Sequence, residues 1–247
     1  MIDLHCHVIP GVDDGARDLG EAVAMCRMAI ADGCTTVFAT PHLRHPSWWN
    51  GDRGDLERRL AALRMRVGSS LELHAGGEIR ADADLLGEID RLPAGSLLPL
   101  GGSRYLLLEL DRTGLGPDPA PVIHELCVSG WRPILAHPEH FPWLMQDASL
   151  LAQLTDAGAL FQITAMSLLG GFGARPERWC RALIDEGLAH FVASDAHDTL
   201  RRPPGLAAAR AHIASHWGEE AARQLTVDNP LAVVENRPLP SLTGARF

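Results

Sequence analysis

Met1-Ile-Asp-Leu-His5-Cys-His7-Val-Ile-Pro-Gly-Val-Asp13-Asp14-Gly15 opens the chain, and its reading decides the fold. Ile2 to Leu4 read as a short buried strand with His5 and His7 at its end. Residues i and i+2 of an extended chain face the same side, so the two imidazoles can converge on one ion. So short a motif also arises by chance, and the rest of the chain must supply what it lacks.

Outward from this strand, short apolar runs alternate with helical stretches, the pattern of a parallel α/β architecture. Asp18 and Glu21 predict a capped helix of about fifteen residues, with Ala22, Met25, Cys26 and Ala29 on its apolar side and Gly33 ending it. Further strands are expected at Thr35–Ala39, Leu71–Ala75, Tyr105–Glu109, from Arg132 to His137, at Leu160–Thr164 and from Phe191 to Asp195. Helices are expected at about 55–67, up to Val128, at 149–157 and 176–186, and from Pro203 to about Ala221. Pro117 to Pro121 punctuate the middle. Gly76-Gly77 before Glu78 suggest a backbone that passes close to a bound ion or ligand. Gly170, Gly171 and Gly173 mark a turn. No linker, charge block or repeat divides residues 1–247, so one barrel in a single domain is the economical reading.

Composition removes whole classes of function. The longest apolar runs, such as Leu97 to Leu100, are far short of the roughly 18 residues that cross a bilayer, and the strand at the start leaves no basic region for a signal peptide. Five cysteines without a C-x-x-C pair point to a reducing cytoplasm. A net charge of −9 argues against a nucleic-acid surface. All 22 basic residues are arginine, which excludes Schiff-base, P-loop and carbamylated lysines. No cysteine has an arginine six residues later; those positions hold Val12, Asp32, Thr40, Pro133 and Glu186. The C-x5-R phosphate loop of cysteine-dependent phosphatases is therefore absent.

Most predicted strands run out into an acid or a histidine. One charged residue at a strand end is ordinary, because strand ends meet water. In a parallel barrel the carboxyl ends gather on one face, where active sites form, and the convergence carries the inference.

The chain resembles the PHP (polymerase and histidinol phosphatase) metal-dependent phosphoesterases. The resemblance rests on D-L-H-C-H at 3–7, V-D-D-G at 12–15, A-T-P-H at 39–42, G-G-E at 76–78, L-L-E at 107–109, A-H-P-E at 136–139 and S-D-A-H at 194–197. V-D-D-G, the stretch F-Q-I-T-A-M-S-L-L-G-G-F-G at 161–173 and R-R-P-P after S-D-A-H are most similar to the manganese-dependent protein tyrosine phosphatases of bacterial capsule and exopolysaccharide operons. It covers residues 1 to about 204. It implies a distorted (β/α)7 barrel, three divalent ions, and hydrolysis of phosphotyrosine by a metal-activated hydroxide without a covalent intermediate. Manganese is the implied metal; the imidazole and carboxylate donors also suit iron or zinc. The implied partner is a phosphotyrosine-bearing protein, a bacterial tyrosine kinase of polysaccharide assembly.

Carried across by motif, His5, His7, Glu78 and Asp195 would hold a first ion. Glu78 would bridge to a second, completed by Glu109 and His137, and Asp14, His42 and His197 would hold a third. Asp13 would be a turn or supporting residue. Four carboxylates against three dications leave about +2 at the centre, enough to attract a phosphate dianion to an acidic protein. Arg202, with Arg201 beside it, fits a phosphate-binding position. A second arginine is expected where this chain has His140, which cannot offer a bidentate fork; Arg44 and Arg80 either compensate or are solvated surface arginines, the second reading being slightly favoured. Trp48 and Trp49 either wall the site for an aromatic ester or anchor their loop. His45, His74, His124, His190, His212 and His216 are read as structural or exposed. The alternatives are a small-molecule phosphatase of the histidinol-phosphate type and a non-catalytic module stabilised by metal.

Overall fold

Alternate side chains of the longer strands divide between two apolar environments, and this split builds the molecule. The computed structural model describes residues 1–82, 85–89, 97–111 and 118–240; Pro117 and the last residues of the expected domain, 241–247, lie outside them. Among the described residues there are nine strands: β1 (Ile2–Cys6), β2 (Thr36–Ala39), β3 (His42–Leu43), β4 (Glu72–Ala75), β5 (Glu78–Arg80), β6 (Tyr105–Glu109), β7 (Arg132–Ala136), β8 (Leu160–Thr164) and β9 (Ala189–Ala193). They pair in parallel as β1-β2-β4 and β3-β5-β6-β7-β8-β9.

The two sheets are one barrel with two interrupted staves. Thr40-Pro41 separate β2 from β3, and Gly76-Gly77 separate β4 from β5. The ladder continues across both breaks, because Gly76 N–H donates to Ala39 O at 3.0 Å and Glu78 N–H to Pro41 O at 3.0 Å. Joining β2 to β3 and β4 to β5 reduces nine strands to seven staves. Closure comes from β1 against the end of β9, where Asp195 N–H donates to His5 O and His7 N–H to Ala196 O, each at 2.8 Å. The seven-stave barrel is the architecture the resemblance implies.

Inside the barrel lie Ile2, Leu4, Phe38, Tyr105, Leu107, Ile134, Ala136 and Phe191, joined by Val233 from the C-terminal helix Asn229–Val234. Leu106, Leu108, Leu135, Phe161 and Ile163 point outward to the helices. That period of two follows from the pleat. The surrounding helices start where short acids cap them. Asp18 accepts Glu21 N–H ahead of Leu19–Ala31, and Asp52 accepts Asp55 N–H ahead of Arg53–Val67, two residues before the expected start. The last long helix, Ala207–Arg223, runs on through a π turn, Gln224–Asp228, into Asn229–Val234. This extension packs under β9, with Asn229 Nδ2 donating to His190 O at 2.8 Å.

Gly76 and Gly77 also have a reason in the packing of the barrel wall. A Cβ on Gly77 would lie 2.2 Å from Leu43 Cδ1, and one on Gly76 would lie 2.8 Å from Leu100 Cδ2. The close approach that the structure shows is to packed leucines.

Candidate metal centre

Ligand-type side chains stand where a parallel barrel gathers them, at the carboxyl ends of the staves. His5 and His7 flank the end of β1, His42 opens β3, Glu78 opens β5 and Glu109 closes β6, while His137 follows β7 and Asp195 and His197 follow β9. All eight are buried. Asp14 enters from the loop after β1 and is exposed. His137 and Asp195 have φ of +34° and +52°. Side chains other than glycine seldom enter this left-handed region, although histidine and aspartate do so more readily than most. Strain of this kind costs on the order of 1 kcal/mol or more and collects at functional sites.

Four overlapping groups of donors each fall within 4.8 Å: His7, Asp14, His42 and His197; His5, Glu78 and His137; His5, His7 and Asp195; His42, Glu78 and Glu109. Their union is the nine residues singled out as ligands from sequence. Glu78 is the hub. Its Oε1 is 2.7 Å from His137 Nε2, and its Oε2 is 2.7 Å from His42 Nδ1, 3.4 Å from His7 Nε2 and 3.6 Å from His5 Nε2. Asp195 Oδ1 approaches His5 and His7 at 3.3 and 3.5 Å. Asp14 Oδ1 lies 3.4 Å from both His42 and His197. His42 also comes within 3.7 Å of Glu109, so it stands between the expected second and third positions rather than in the third alone.

Orphaned atoms test whether this set fits a cation cluster. Glu78 Oε2 and His42 Nδ1 are buried and close, yet neither has a hydrogen-bond partner among the described residues, and His137 Nδ1 has none either. An unpartnered buried atom such as His137 Nδ1 costs about 1–3 kcal/mol, while Glu78 Oε2 and His42 Nδ1 face each other at 2.7 Å as an ion pair without hydrogen-bond geometry. Shared cations would satisfy them together, and the donors are imidazole and carboxylate, suited to manganese, iron or zinc. The set fits.

The charges hold one another in place. Burial opposes the Glu78 carboxylate, but His5 and His42 carry it well below the usual range; burial likewise opposes Asp195, which His5, His7 and Arg202 hold low. Burial works against protonated His42 too, yet Glu78 and Asp14 raise it to about 10, and Glu78 raises His137 to about 9 against the same burial. His197 moves down, through burial and the neighbouring His7.

Outer partners fix which ring nitrogens carry protons. His7 Nδ1 is 2.9 Å from Asp13 Oδ2, which also accepts His42 N–H at 3.0 Å. His5 Nδ1 is 2.9 Å from Gln162 Oε1, and His197 Nδ1 is 2.9 Å from Asp195 O. An acceptor at Nδ1 places the proton there and leaves the Nε2 lone pair for a metal. Asp13 therefore supports the ligand ring rather than joining it. Gln162 is a residue the sequence reading does not single out. Its signal is parity: Phe161 and Ile163 face the helices, so the glutamine between them faces the barrel interior.

Around this centre, Arg202 bonds Asp195 Oδ2 through its guanidinium. His140 Nε2 lies 3.2 Å from Ser167 Oγ, and its ring centroid is 5.6 Å from that of His137. Arg44 donates to Asp82 at 2.7 Å and its guanidinium lies 5.6 Å from the Trp49 ring, and Arg80 bonds Asp111. Of the phosphate-binding candidates, Arg202 bonds one proposed ligand and the His140 ring lies beside another, whereas Arg44 and Arg80 pair with Asp82 and Asp111, which belong to none of the donor groups. Trp48 stacks on His42, 5.4 Å apart and 8° from parallel, and so buttresses a donor ring. Trp49 stays 59% exposed. Cys6, between the two histidines, is buried in the outer apolar cluster, where burial pushes its thiol well above the ordinary value.

Known proteins share this arrangement of chain. CapC of Staphylococcus aureus is 35% identical over 209 residues, covering 82% of this chain and 79% of its own. Tyrosine-protein phosphatase YwqE of Bacillus subtilis is 32% identical over 242 residues, covering 97% and 93%. A crystal structure from work on YwqE of Bacillus subtilis and CpsB of Streptococcus pneumoniae, described as metal-dependent tyrosine phosphatases, superposes with a TM-score of 0.89 at 30% identity, covering 97% of this chain and 96% of that one. The family model described as capsular polysaccharide synthesis, CpsB/CapC, matches residues 1–235, so a barrel that collects nine donors at one mouth belongs, in this chain, to the CpsB/CapC family.

Proposed function

We propose that the protein is a metal-dependent protein-tyrosine phosphatase that hydrolyses phosphotyrosine without a covalent intermediate and serves polysaccharide assembly. The observation that carries this reading is the convergence of His5, His7, Asp14, His42, Glu78, Glu109, His137, Asp195 and His197 on one pocket, with Arg202 joined to it. Those nine residues would hold the ions, up to three of them and manganese by the resemblance. Divalent ions there supply Lewis acidity, lowering the pKa of water towards neutrality and offsetting charge on the phosphoryl oxygens.

The chain's own residues do the rest. Asp13 and Gln162 keep His7 and His5 protonated at Nδ1, so the Nε2 lone pairs remain directed at the cluster. Arg202 shares its guanidinium with Asp195, leaving further N–H groups for phosphate oxygens. His140 supplies a single donor where relatives are expected to carry a fork. No thiolate takes part: among the five cysteines, burial pushes Cys26 and Cys34 up to about 12 and raises Cys6, Cys127 and Cys180.

The partner we propose is a phosphotyrosine-bearing tyrosine kinase of polysaccharide assembly, met in the cytoplasm by residues 1–247 acting as one domain. No helix among the described residues is long and apolar enough to cross a membrane. The test is a turnover panel on manganese-loaded protein with a phosphotyrosine peptide, a phosphoserine peptide and histidinol phosphate. The phosphotyrosine peptide is expected to lead by at least about tenfold, a difference of about 1.4 kcal/mol in barrel-bound transition-state stabilisation, with no loss after thiol alkylation. Histidinol phosphate as the best substrate would replace this reading with the small-molecule one. Absence of turnover on all three would leave the non-catalytic module.

A further inference from the structure

Phe172 is half-buried yet belongs to neither apolar cluster of the fold. Its ring meets polar groups instead. The His140 imidazole stands edge-on to it at 4.9 Å and 85°, and the Arg202 guanidinium lies 5.9 Å from its centroid. The ring is held there by a built turn, Gly170-Gly171-Phe172-Gly173. Gly171 N–H donates to Met166 O at 2.9 Å and Gly170 N–H to Ser167 O at 3.0 Å, tying the turn to the short helix Ala165–Leu168 that continues from β8. A Cβ on Gly171 would come within 2.5 Å of Met166 Cγ, so this close seating requires glycine. A rigid turn that keeps a phenyl ring out of the core leaves apolar surface available to a ligand.

The order of groups on the protein matches the order of groups along an aryl phosphate. Asp195 belongs to the donor cluster and Arg202 bonds it, the His140 ring lies 5.6 Å from that of His137, and Phe172 touches both Arg202 and His140. A phosphoryl group drawn to the cluster and Arg202 would have its ester substituent within reach of the Phe172 ring. We propose that Phe172 is the wall against which the aromatic ring of phosphotyrosine packs, making it a specificity-determining residue for aryl over alkyl phosphate esters. This deepens the phosphatase reading and rests on it. Aromatic pairs prefer offset or edge-to-face contact and contribute enough to change binding by about three- to tenfold.

Competitive inhibition of the manganese-loaded full chain by phenylphosphonate and by methylphosphonate isolates the ring contribution, because both carry the same charged head. The wild-type protein is expected to bind phenylphosphonate about five- to tenfold more tightly. In Phe172→Ala that ratio is expected to fall to about two or less, and Phe172→Leu, which keeps apolar bulk in the turn, is expected to fall between. An equal loss for both inhibitors would mean that Phe172 only props Arg202 and His140, and would overturn the proposal; an unchanged ratio would overturn it as well. If wild-type protein fails on the phosphotyrosine peptide, the parent reading falls, whereas failure of the ratio test with that activity intact removes this inference alone.

Discussion

Glu78→Gln is expected to lower kcat/KM on a phosphotyrosine peptide by more than about 100-fold and to reduce the number of tightly held ions. Loss of a group that only orients a ligand costs about 10–100-fold, and Glu78 does more than that: its two oxygens face His137 on one side and His42, His7 and His5 on the other. Glutamine keeps the volume but removes the charge and replaces one acceptor by a donor aimed at imidazole nitrogens. Gln162→Ala supplies the comparison. It removes the acceptor for His5 Nδ1 and leaves every proposed ligand in place, so its loss should stay within the smaller range. Metal content and kcat/KM measured on both variants check the ranking, and a Glu78→Gln protein with full metal content and near-normal turnover would sink the hub assignment. NMR titration of stripped Glu78→Gln gives a second readout. The carboxylate that raises His42 to about 10 and His137 to about 9 is gone, so both rings should titrate far lower.

Stripping the metals with a chelator is expected to lower Tm by about 8–16 °C as well as to abolish turnover. A ligand present at a thousand times its dissociation constant adds about 4 kcal/mol to folding. For a chain of this size each kcal/mol moves Tm by about 2–4 °C. Stability of the stripped protein should also fall as pH rises from 7 to 10. His42 and His137 sit above the ordinary imidazole value of about 6.5, so protonation favours the folded state. That contribution is complete below about 6.5 and is lost as pH climbs through about 9 to 10. Glu78 and Asp195, held low, contribute above the ordinary carboxylate range and are unaffected in this window. The loaded protein should show a flatter profile, because metal takes the place of the protons. Calorimetry of both forms across this pH range decides it; equal slopes would mean that the buried imidazoles do not govern stability.

The legible parts of the site were those set by local rules. His5 and His7 share a face because i and i+2 do, and His42, Glu109 and His137 follow from apolar runs that end in a ligand. Tyr105–Glu109 and Leu160–Thr164 match the expected bounds, since each is a short, largely apolar run that follows a glycine turn, at Gly102 and Gly158. The two interruptions were not legible. β3 has two residues and β5 three, too few to express a period, and their place in the ladder depends on neighbours far along the chain. The same holds for Gln162, whose partner is 157 residues away, and for Trp48, which finds His42 through the path of a loop. Gly77 showed that something was near but not what; Leu43 is a tertiary contact. Arg44 and Asp82 pair across 38 residues for the same reason.

The breaks at Thr40-Pro41 and Gly76-Gly77 have a mechanical side. Below them β2 and β4 pair over four residues, and above them the two-residue β3 is the edge strand of its sheet, paired with β5, which β6 holds on its other side. His42 and Glu78 sit on β3 and β5, whereas His5 and Glu109 rise from unbroken staves. Cations shared among these residues would tie the short edge strand β3, through His42, to the staves on either side of it, so the ions would fasten the wall where its own pairing is shortest.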